Sequence, residues 1–358
     1  MAKLGKRLGL VAIPGGRRQH TGPAPVTGGV GLFLAFFLVA LGLFLSGTFK
    51  PEHDLPLRGV LIGTAFVFLC GLADDKVEFK AGPQFAIQLS AAIIAITFTV
   101  WIQEVTLPFT DKPSHFPRPI TYLLTIAWVM GMMNTVNFLD GVDGLATGVS
   151  AIAATLFAIH SITLGQNEIA LYALALAGAC VGFLIFNFNP ARVFLGSSGA
   201  MVLGFALATL SILAPARVAT ALLVMVVPIT DTAFRIYDRW RHGRSPLQGD
   251  RGHLHYLLLD RGFSQRQIVI GYWIFCAVFG ALALLISAPI YKLLALGVLG
   301  LLVVGVLVVL TRKDSSSKTQ DSSSKIQDSS SKIQDSSSKI QVPSSKTQDS
   351  SSDSQIDS

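Results

Sequence analysis

The stretch TGGVGLFLAFFLVALGLFLSGT, residues 27–48, decides the fold because it carries no charged residue over a length that crosses a bilayer. The hydrocarbon core is about 30 Å thick, and an α-helix needs about 20 residues to cross it. Further apolar runs are centred on residues 57–73, 83–103, 119–136, 146–164, 169–187, 198–214, 217–234, 267–288 and 290–311. The runs are continuous rather than alternating, which favours helices over membrane strands.

The composition of the whole chain supports this interpretation. Its 358 residues are 51% hydrophobic and only 14% charged, with a mean hydropathy of +0.57, whereas a soluble domain carries about 25% charge. The sequence therefore predicts an all-α, polytopic transmembrane helical bundle of about ten spans. We assign residues 1–26 to a cytoplasmic N-terminal segment with a basic and histidine-containing motif, residues 27–312 to the membrane domain, and residues 313–358 to a tail.

The basic residues predict how the bundle is oriented. Ten spans place both termini on one side, and that side receives most of the positive charge: Lys3, Lys6, Arg7, Arg17, Arg18, Lys76, Lys80, Arg192, Arg235, Arg239, Arg241, Arg244, Arg251, Arg261 and Arg266. The other side receives Lys50, Arg58, Lys112, Arg118, Arg217 and Lys292. Positive charge stays in the cytoplasm, so we expect both termini there. The net charge of +7 thus indicates a membrane surface, and we expect the lipid bilayer rather than nucleic acid as its partner.

Three other features complete the outline of the chain. The N-terminus has too short an apolar stretch for a cleavable signal peptide. Cys70, Cys180 and Cys276 fall inside predicted spans, so packing is expected of them rather than disulfides. The tail repeats DSSSKIQ-like heptads, which offer too few apolar residues for a coiled coil and predict disorder.

Polar residues gather on the predicted cytoplasmic side in five separate segments. Taken singly, each has an ordinary explanation: Asp74 and Asp75 as a solvated helix flank, Asp140 and Asp143 as helix caps, and the histidines as loop residues. Their convergence on one membrane face argues for a site, since ionisable groups near spans are costly. The segments are RRQHTGPAPVTGG (17–29), GLADDKVEF (71–79), NTVNFLDGVDGLATG (134–148), FNFNPARVFLGSSGA (186–200) and YDRWRHGRSPLQGDRGHLHYLLLDRG (237–262).

These residue types suit phosphoryl chemistry on a membrane substrate. Clustered carboxylates with amide neighbours suit Mg²⁺, which binds through one or two carboxylates and substrate phosphates. Arginine holds phosphate through paired hydrogen bonds. The turns at Gly28–Gly29 and Gly196–Gly199 precede helices, where backbone N–H groups can bind anions. Spacing by three from Asn134 to Asp143 would keep four polar groups on one drifting helical face.

The set of motifs resembles the polyprenyl-phosphate N-acetylhexosamine-1-phosphate transferases. The resemblance runs from about Arg17 to Gly262 through RRQHTGPAPVTGG, the paired Asp74–Asp75, NTVNFLDGVDGLA, NPARVFLGSSG and SPLQGDRGHLHY. It implies transfer of a sugar-1-phosphate from a UDP-N-acetyl sugar to undecaprenyl phosphate, with release of UMP and with Mg²⁺ or Mn²⁺ as cofactor. The last motif is similar to the branch that initiates O-antigen, enterobacterial common antigen or teichoic acid-type polymers. The peptidoglycan branch carries a run of consecutive histidines that this chain lacks.

The resemblance also assigns roles residue by residue. It implies that Asp74 and Asp75 position or deprotonate the lipid phosphate and help to hold the metal, with Asp140 and Asp143 as further metal ligands. It implies catalytic roles for His253 and His255. Residues implied to bind substrate are His20, Asn134, Asn137, Asp140, Asp143, Asn187, Asp250 and Arg251.

Three departures from the family pattern bear on function. Ser197 in FLGSSG stands where the family's Phe-Met-Gly-Asp-x-Gly motif has a metal-binding aspartate, which should lower metal affinity. Tyr256 stands where a second histidine is usual. Relatives generally have a further span before the RRQH motif, and only residues 1–16 precede it here.

Three functions are therefore weighed. The first is an active transferase, with GlcNAc-1-phosphate as the default group and the bacterial cytoplasmic membrane as its location. The second is a catalytically impaired relative that binds lipid phosphate or nucleotide sugar or acts as an assembly partner. The third, a secondary transporter, fits poorly because the acids lie at helix ends rather than at the midplane. The sequence leaves the oligomeric state open, a homodimer included.

Overall fold

The computed structural model describes residues 11–12, 24–25, 27–47, 50–106, 113–213, 217–243, 252–286 and 288–311. The predictions made for His20, Asp250 and Arg251 lie outside these residues, as does the predicted disordered tail. Met1–Leu307 form one compact unit. Of the second unit, Val308–Ser358, the description covers residues 308–311.

The described residues form a helical bundle, so the all-α prediction is confirmed. Two short antiparallel pairs accompany it, β1 (Val11–Ala12) with β2 (Ala24–Pro25) and β3 (Glu104–Thr106) with β4 (Pro113–His115). The helices are α1 (Gly28–Leu45), α2 (Pro51–Val77), α3 (Ala81–Thr97), α4 (Arg118–Leu139), α5 (Leu145–Thr163), α6 (Asn167–Asn187), α7 (Gly196–Ile212), α8 (Arg217–Val224), α9 (Val226–Arg241), α10 (Leu254–Leu259), α11 (Gln265–Leu285) and α12 (Pro289–Thr311).

The helices make this a multi-pass membrane protein. Within the described part of the chain, seven are long and apolar enough to span a bilayer, namely α1, α2, α4, α5, α6, α11 and α12. The pair α8 and α9 bends by 80° and counts as an eighth if it forms one broken span. The apolar helices α3 and α7 have only 17 residues each. Each predicted run falls on one of these helices, except that 217–234 covers both α8 and α9; about ten spans remains a prediction.

Helix α7 is the centre of the bundle. Its residues from Ser198 to Ser211 are all buried, and it packs against α2 and α4. Glycines allow these close approaches, because a Cβ at Gly204 would lie 2.6 Å from Cα of Met133. Outward-facing apolar side chains such as Leu301, which is 74% exposed, fit contact with lipid. Small residues at helix contacts and large apolar residues outside are typical of membrane bundles.

Short connections place several helix ends together. Consecutive antiparallel helices return to the same end at the turns 78–80 (α2 to α3), 140–144 (α4 to α5) and 188–195 (α6 to α7). Helix α10 contacts that end as well, because a Cβ at Gly141 would lie 2.9 Å from Nε2 of His255. We call this end of the bundle, with its three turns and α10, the site end.

Candidate active site

The carboxylate of Asp75 is bound at the N-terminus of α7. The N–H of Ser197 donates to Oδ1 at 2.6 Å, while the N–H and Oγ of Ser198 donate to Oδ2 at 3.1 and 2.5 Å. Helix N-termini carry unsatisfied N–H groups and a partial positive charge, which attract an anion. The predicted anion-binding turn at Gly196–Gly199 therefore does bind an anion here, but the anion is the protein's own side chain.

The other predicted anion-binding turn uses its backbone differently. The N–H of Gly28 donates to the carbonyl of Phe194 at 3.0 Å, and that of Gly29 donates to Leu195 at 2.9 Å. A Cβ at Gly29 would lie 2.3 Å from Oγ of Ser198. The prediction of an anion site at Gly28–Gly29 was wrong, since these N–H groups join the start of α1 to the turn before α7.

Asp74, the neighbour of Asp75, faces a different partner. It is buried, its Oδ1 accepts from the N–H of Phe79 at 2.8 Å, and Nε2 of Gln84 donates to Oδ2 at 3.1 Å. These bonds close the turn from α2 to α3. Asp74 therefore holds α2 against α3, whereas Asp75 holds α2 against α7.

The four evenly spaced polar residues do not share one helical face. Helix α4 ends at Leu139, so Asn134 and Asn137 are helical, whereas Asp140 and Asp143 lie on the turn 140–144. The prediction of a single helical edge was wrong because Gly144, at φ +80°, starts a new helix after this turn. A left-handed φ favours glycine.

Asn134 pairs with an amide that sequence reasoning did not single out. Its Nδ2 donates to Oε1 of Gln88 at 2.7 Å, and Nε2 of Gln88 donates back to Oδ1 at 3.3 Å. This reciprocal pair joins α3 to α4. Gln88 is buried, and a buried polar residue in an apolar helix is the signal that would have found it.

Asp143 ties two turns and α11 together. Its Oδ2 accepts from Nδ2 of Asn189 at 3.1 Å and from the N–H of Ala191 at 3.0 Å. Asn189 also donates to Oε1 of Gln265 at 2.8 Å, and Nε of Arg266 donates to the Asn189 carbonyl at 3.0 Å. Sequence reasoning missed Asn189 as a member of the site, although it stands beside Pro190 in a segment already singled out.

Asn187, a predicted substrate-binding residue, has partners within the fold. Oγ1 of Thr147 donates to its Oδ1 at 3.0 Å, and its Nδ2 donates to the carbonyl of Val193 at 3.1 Å. The side chain is 3% exposed. It holds the turn 188–195 against α5, and its role toward substrate stays a prediction.

The histidine segment is anchored by an aspartate from α9. Nδ1 of His253 lies 2.9 Å from Oδ2 of Asp231, and the N–H of Leu254 donates to Oδ1 at 3.1 Å. An ionised carboxylate only accepts hydrogen bonds, so the contact places a proton on Nδ1 and leaves Nε2 of a neutral ring as an acceptor. Sequence reasoning missed Asp231, although an ionisable residue inside an apolar run is the signal that could have found it.

His255 continues this buried cluster. Its ring lies 5.8 Å from that of His253 with the planes 5° apart, and 4.3 Å from the ring of Tyr256. Burial lowers the pKa of His255 to about 3, with smaller opposing effects of Asp231, which raises it, and His253, which lowers it. The imidazole is therefore neutral at physiological pH.

The predicted metal ligands do not form a cluster of three or more side chains in the described part of the chain. Among the residues that the structure describes, no group of three or more His, Cys, Asp or Glu side chains could hold an ion. The carboxylates of Asp74 and Asp75 accept hydrogen bonds from N–H donors and face α3 and α7. Since Mg²⁺ binds through one or two carboxylates together with substrate phosphates, Mg²⁺ or Mn²⁺ stays a prediction, and we derive no step through a metal.

The site end nevertheless unites segments that are distant in sequence. A family profile described as Glycosyl transferase family 4 matches residues 57–215, which include Asp75, Asp143 and Asn187. A decaprenyl-phosphate N-acetylglucosaminephosphotransferase from Mycobacterium tuberculosis (strain CDC 1551 / Oshkosh) is 34% identical over 318 residues, covering 80% of this chain and 78% of the relative. The chain belongs to glycosyl transferase family 4.

Two further relatives are similar to this family 4 member. A probable undecaprenyl-phosphate N-acetylglucosaminyl 1-phosphate transferase from Bacillus subtilis (strain 168) is 28% identical over 288 residues, 79% of this chain and 78% of the relative. A phospho-N-acetylmuramoyl-pentapeptide-transferase from Moorella thermoacetica (strain ATCC 39073 / JCM 9320) is 31% identical over 284 residues, 72% and 83% of the two chains. The predicted family is confirmed, and so is the prediction of a phosphotransferase enzyme; the transporter hypothesis falls.

Proposed function

We propose that this enzyme transfers GlcNAc-1-phosphate from UDP-GlcNAc to undecaprenyl phosphate in the bacterial cytoplasmic membrane. The products are UMP and a diphosphate-linked lipid sugar that starts a cell-envelope polysaccharide. The site end would face the cytoplasm, where the nucleotide sugar is made. The names of the M. tuberculosis and B. subtilis relatives support the lipid phosphate and the GlcNAc group.

One observation carries the proposal. Asp75 lies on the N-terminus of α7, Asp143 joins the turns 140–144 and 188–195, and a Cβ at Gly141 would touch His255. These contacts bring polar groups from α2, α7, α10 and two turns to a single end of an apolar bundle. A soluble nucleotide sugar and the head group of a membrane lipid can meet only at such an end.

The proposed reaction is one displacement at phosphorus. An oxygen of the lipid phosphate forms a bond to the β-phosphorus of UDP-GlcNAc, which carries the sugar, and the bond from that phosphorus to the bridging oxygen breaks. The electron pair leaves with UMP. A phosphate monoester has a second pKa near 6 and is mostly a dianion at neutral pH, so the nucleophile needs little help from a base. Positioning and charge supply most of the catalysis.

The described residues offer hydrogen-bonding capacity and positive charge for this step. Nε2 of His253 and both ring nitrogens of His255 have no hydrogen-bond partner among the described residues, and buried polar groups ordinarily have one. A bound sugar or diphosphate would supply it. Arg235, one turn beyond Asp231, and Arg239 place two buried guanidinium groups on α9, which suit a diphosphate.

A catalytically impaired family member is the second candidate, and one observation favours it. Both carboxylate oxygens of Asp75 already accept hydrogen bonds from Ser197 and Ser198, and Ser197 stands where the family motif has an aspartate. A neutral hydroxyl attracts a cation less than a carboxylate does, and losing such an electrostatic contact costs about 10²–10³ in rate at other sites.

A direct assay separates the two candidates. The purified protein receives UDP-GlcNAc, undecaprenyl phosphate and Mg²⁺, and UMP is quantified for the native chain, Ser197→Asp and the neutral control Ser197→Asn. UMP release by the native chain supports the active enzyme. Release by Ser197→Asp alone, with Ser197→Asn silent, supports the impaired relative. Silence in all three overturns GlcNAc transfer, and UDP-MurNAc-pentapeptide is then the donor to test, given the Moorella thermoacetica relative.

A further inference from the structure

A buried tyrosine of α11 adjoins the histidine segment. Tyr272 is 6% exposed, and its Oη has no hydrogen-bond partner among the described residues. It lies close enough to Asp231 for the two side chains to interact electrostatically, and Asp231 is the residue that holds His253. Helix α11 packs against both α9 and α10. Tyr272 therefore belongs to the surroundings of the two histidines, although neither the motifs nor the resemblance singled it out.

Three buried side chains meet here with polar atoms that lack partners. The atoms are Oη of Tyr272, Nε2 of His253 and both ring nitrogens of His255, none of which has a hydrogen-bond partner among the described residues. We call these three residues the histidine–tyrosine cluster. Buried polar groups ordinarily have a partner, and burial without one is unfavourable. Several such atoms in one place indicate a ligand with several hydrogen-bonding groups.

The histidines of the cluster are neutral, and this decides which part of a nucleotide sugar they suit. Nδ1 of His253 donates to Asp231, so Nε2 of the neutral ring can only accept a hydrogen bond. His255 is neutral at physiological pH because burial lowers its pKa to about 3. Phosphate oxygens are acceptors, so a diphosphate offers no donor to Nε2 of His253. This atom suits a neutral group that carries an N–H or O–H.

An acetamido group matches the cluster better than a hydroxyl group does. Its N–H can donate to Nε2 of His253, and its carbonyl oxygen can accept from Oη of Tyr272. Its methyl group needs apolar surroundings, and two aromatic rings adjoin the histidines. The ring of Phe138 stacks on that of His253 at 4.8 Å between centroids, and the ring of Tyr256 lies 4.3 Å from that of His255. A hydroxyl group would leave these apolar contacts unused.

We propose that Tyr272 is a specificity-determining residue that binds the N-acetyl group of the sugar nucleotide together with Nε2 of His253. The inference rests on the proposed function and adds which part of the donor substrate these side chains recognise. A sugar without the amide leaves the Tyr272 hydroxyl and Nε2 of His253 unpaired, and unpaired buried polar groups discriminate strongly against an analogue that lacks their partner.

Tyr272→Phe tests the proposal because it removes one hydroxyl and keeps the ring. Calorimetric titration of the purified protein in detergent measures the Kd for UDP-GlcNAc and for UDP-glucose, which has a hydroxyl in place of the acetamido group. The native chain should prefer UDP-GlcNAc by at least about 10-fold, and Tyr272→Phe should reduce this preference about 5-fold, as expected for one hydrogen bond. Tyr291→Phe on α12, where Tyr291 is 63% exposed, is the matched control and should keep the native preference.

Thermal unfolding separates a binding role from a structural one. The hydroxyl has no partner among the described residues, so Tyr272→Phe should not lower the Tm of the ligand-free protein. A ligand that binds the folded state raises the Tm. Tyr272→Phe should therefore reduce the rise in Tm that UDP-GlcNAc causes and leave unchanged the rise that UDP causes, because UDP has no sugar.

Four results would overturn the proposal. They are no binding of UDP-GlcNAc, no native preference over UDP-glucose, equal weakening of both ligands by Tyr272→Phe, and a lower Tm of ligand-free Tyr272→Phe with an unchanged preference. Equal weakening would assign the hydroxyl to a part that both sugar nucleotides share. A native chain that shows the Tyr272-dependent preference but releases no UMP would instead contradict the proposed function and leave this assignment standing.

Discussion

The backbone nitrogen of Ser197 lies 2.6 Å from Oδ1 of Asp75, so the residue at the family's metal-motif position is already in contact with a carboxylate. The first turn of α7 thereby receives a negative charge from α2, as helix N-termini favour. This bond links the two halves of the predicted metal site through a hydrogen bond rather than through an ion, and the consequences for substitutions at both residues can be measured.

Ser197→Asp should make the stability of the protein depend on a divalent cation. A second carboxylate beside that of Asp75 adds like-charge repulsion, which lowers the Tm when EDTA is present. Added Mg²⁺ should bridge the two carboxylates and restore the Tm, whereas the Tm of the native chain should shift by less than about 1 °C. Thermal unfolding in detergent with Mg²⁺ or EDTA measures this, and Ser197→Asn is the neutral control. A variant with no Mg²⁺ response would contradict the prediction.

Asp75→Asn should weaken the contact between α2 and α7. The amide keeps one acceptor oxygen but loses the charge that favours the helix N-terminus, an effect of about 0.3–2 kcal/mol. Ser198→Ala removes one of the three hydrogen bonds and should cost about 1 kcal/mol. Urea unfolding of both variants measures the loss. Equal activity of Asp75→Asn and the native chain in the UMP assay would remove Asp75 from the active site.

Asp231→Ala should destabilise the histidine segment. It leaves Nδ1 of His253 and the N–H of Leu254 buried without their partner, and each unsatisfied group costs about 1–3 kcal/mol. Because Asp231 fixes the proton on Nδ1, we also expect UMP release to fall by about 10²-fold or more. Asp231→Asn separates the effects, since it can still accept one hydrogen bond. Native-like unfolding of Asp231→Ala would show that the contact is unimportant.

His255 should make stability fall in acid. Burial lowers its pKa to about 3, whereas an unfolded histidine titrates near 6.5. Between these values the unfolded chain binds a proton that the folded chain does not, so stability decreases as the pH falls below about 6.5, by up to about 1.4 kcal/mol per pH unit. Above that range the contribution is constant.

The measurement for His255 is a difference between two chains. Unfolding free energies from pH 7.5 to 4.5 are compared for the native protein and for His255→Gln, which cannot titrate. Asp231, His253 and Tyr256 lie near the ring and are present in both chains, so the difference between the two profiles reports on His255. Parallel pH profiles would mean that the pKa of this imidazole is the same in the folded and the unfolded chain, which would contradict the prediction.

The sequence predicted the positions of the helices well but did not predict how many of them span the membrane. The apolar runs predicted the position of every long helix in the described part of the chain. They do so because a membrane helix satisfies its backbone hydrogen bonds within one continuous apolar segment. The number of spans did not follow from hydropathy alone. Helix α7 has only 17 residues, and α8 and α9 meet at an 80° bend.

The residues of the site were found more completely than their partners. Asp74, Asp75 and Asp143 stood out as carboxylates beside apolar runs, whereas the resemblance to the family implied Asn187 and His253. Gln88, Asn189 and Asp231 were missed because their partners lie in other segments of the chain: Gln88 contacts Asn134, Asn189 contacts Asp143 and Asp231 contacts His253. A single sequence carries no distance between such pairs.

Sequence alone determined that this chain is a helical membrane protein with polar segments fit for phosphoryl chemistry. The length of an apolar run and its residue types can be read from a local stretch of sequence. In a bilayer such a run forms a helix, because a helix satisfies its own backbone hydrogen bonds. Only the tertiary structure decided that Asp75 binds the first turn of α7, that the four spaced polar residues divide between a helix and a turn, and that Asp231 contacts His253. Each of these contacts depends on the packing of helices that are distant in sequence.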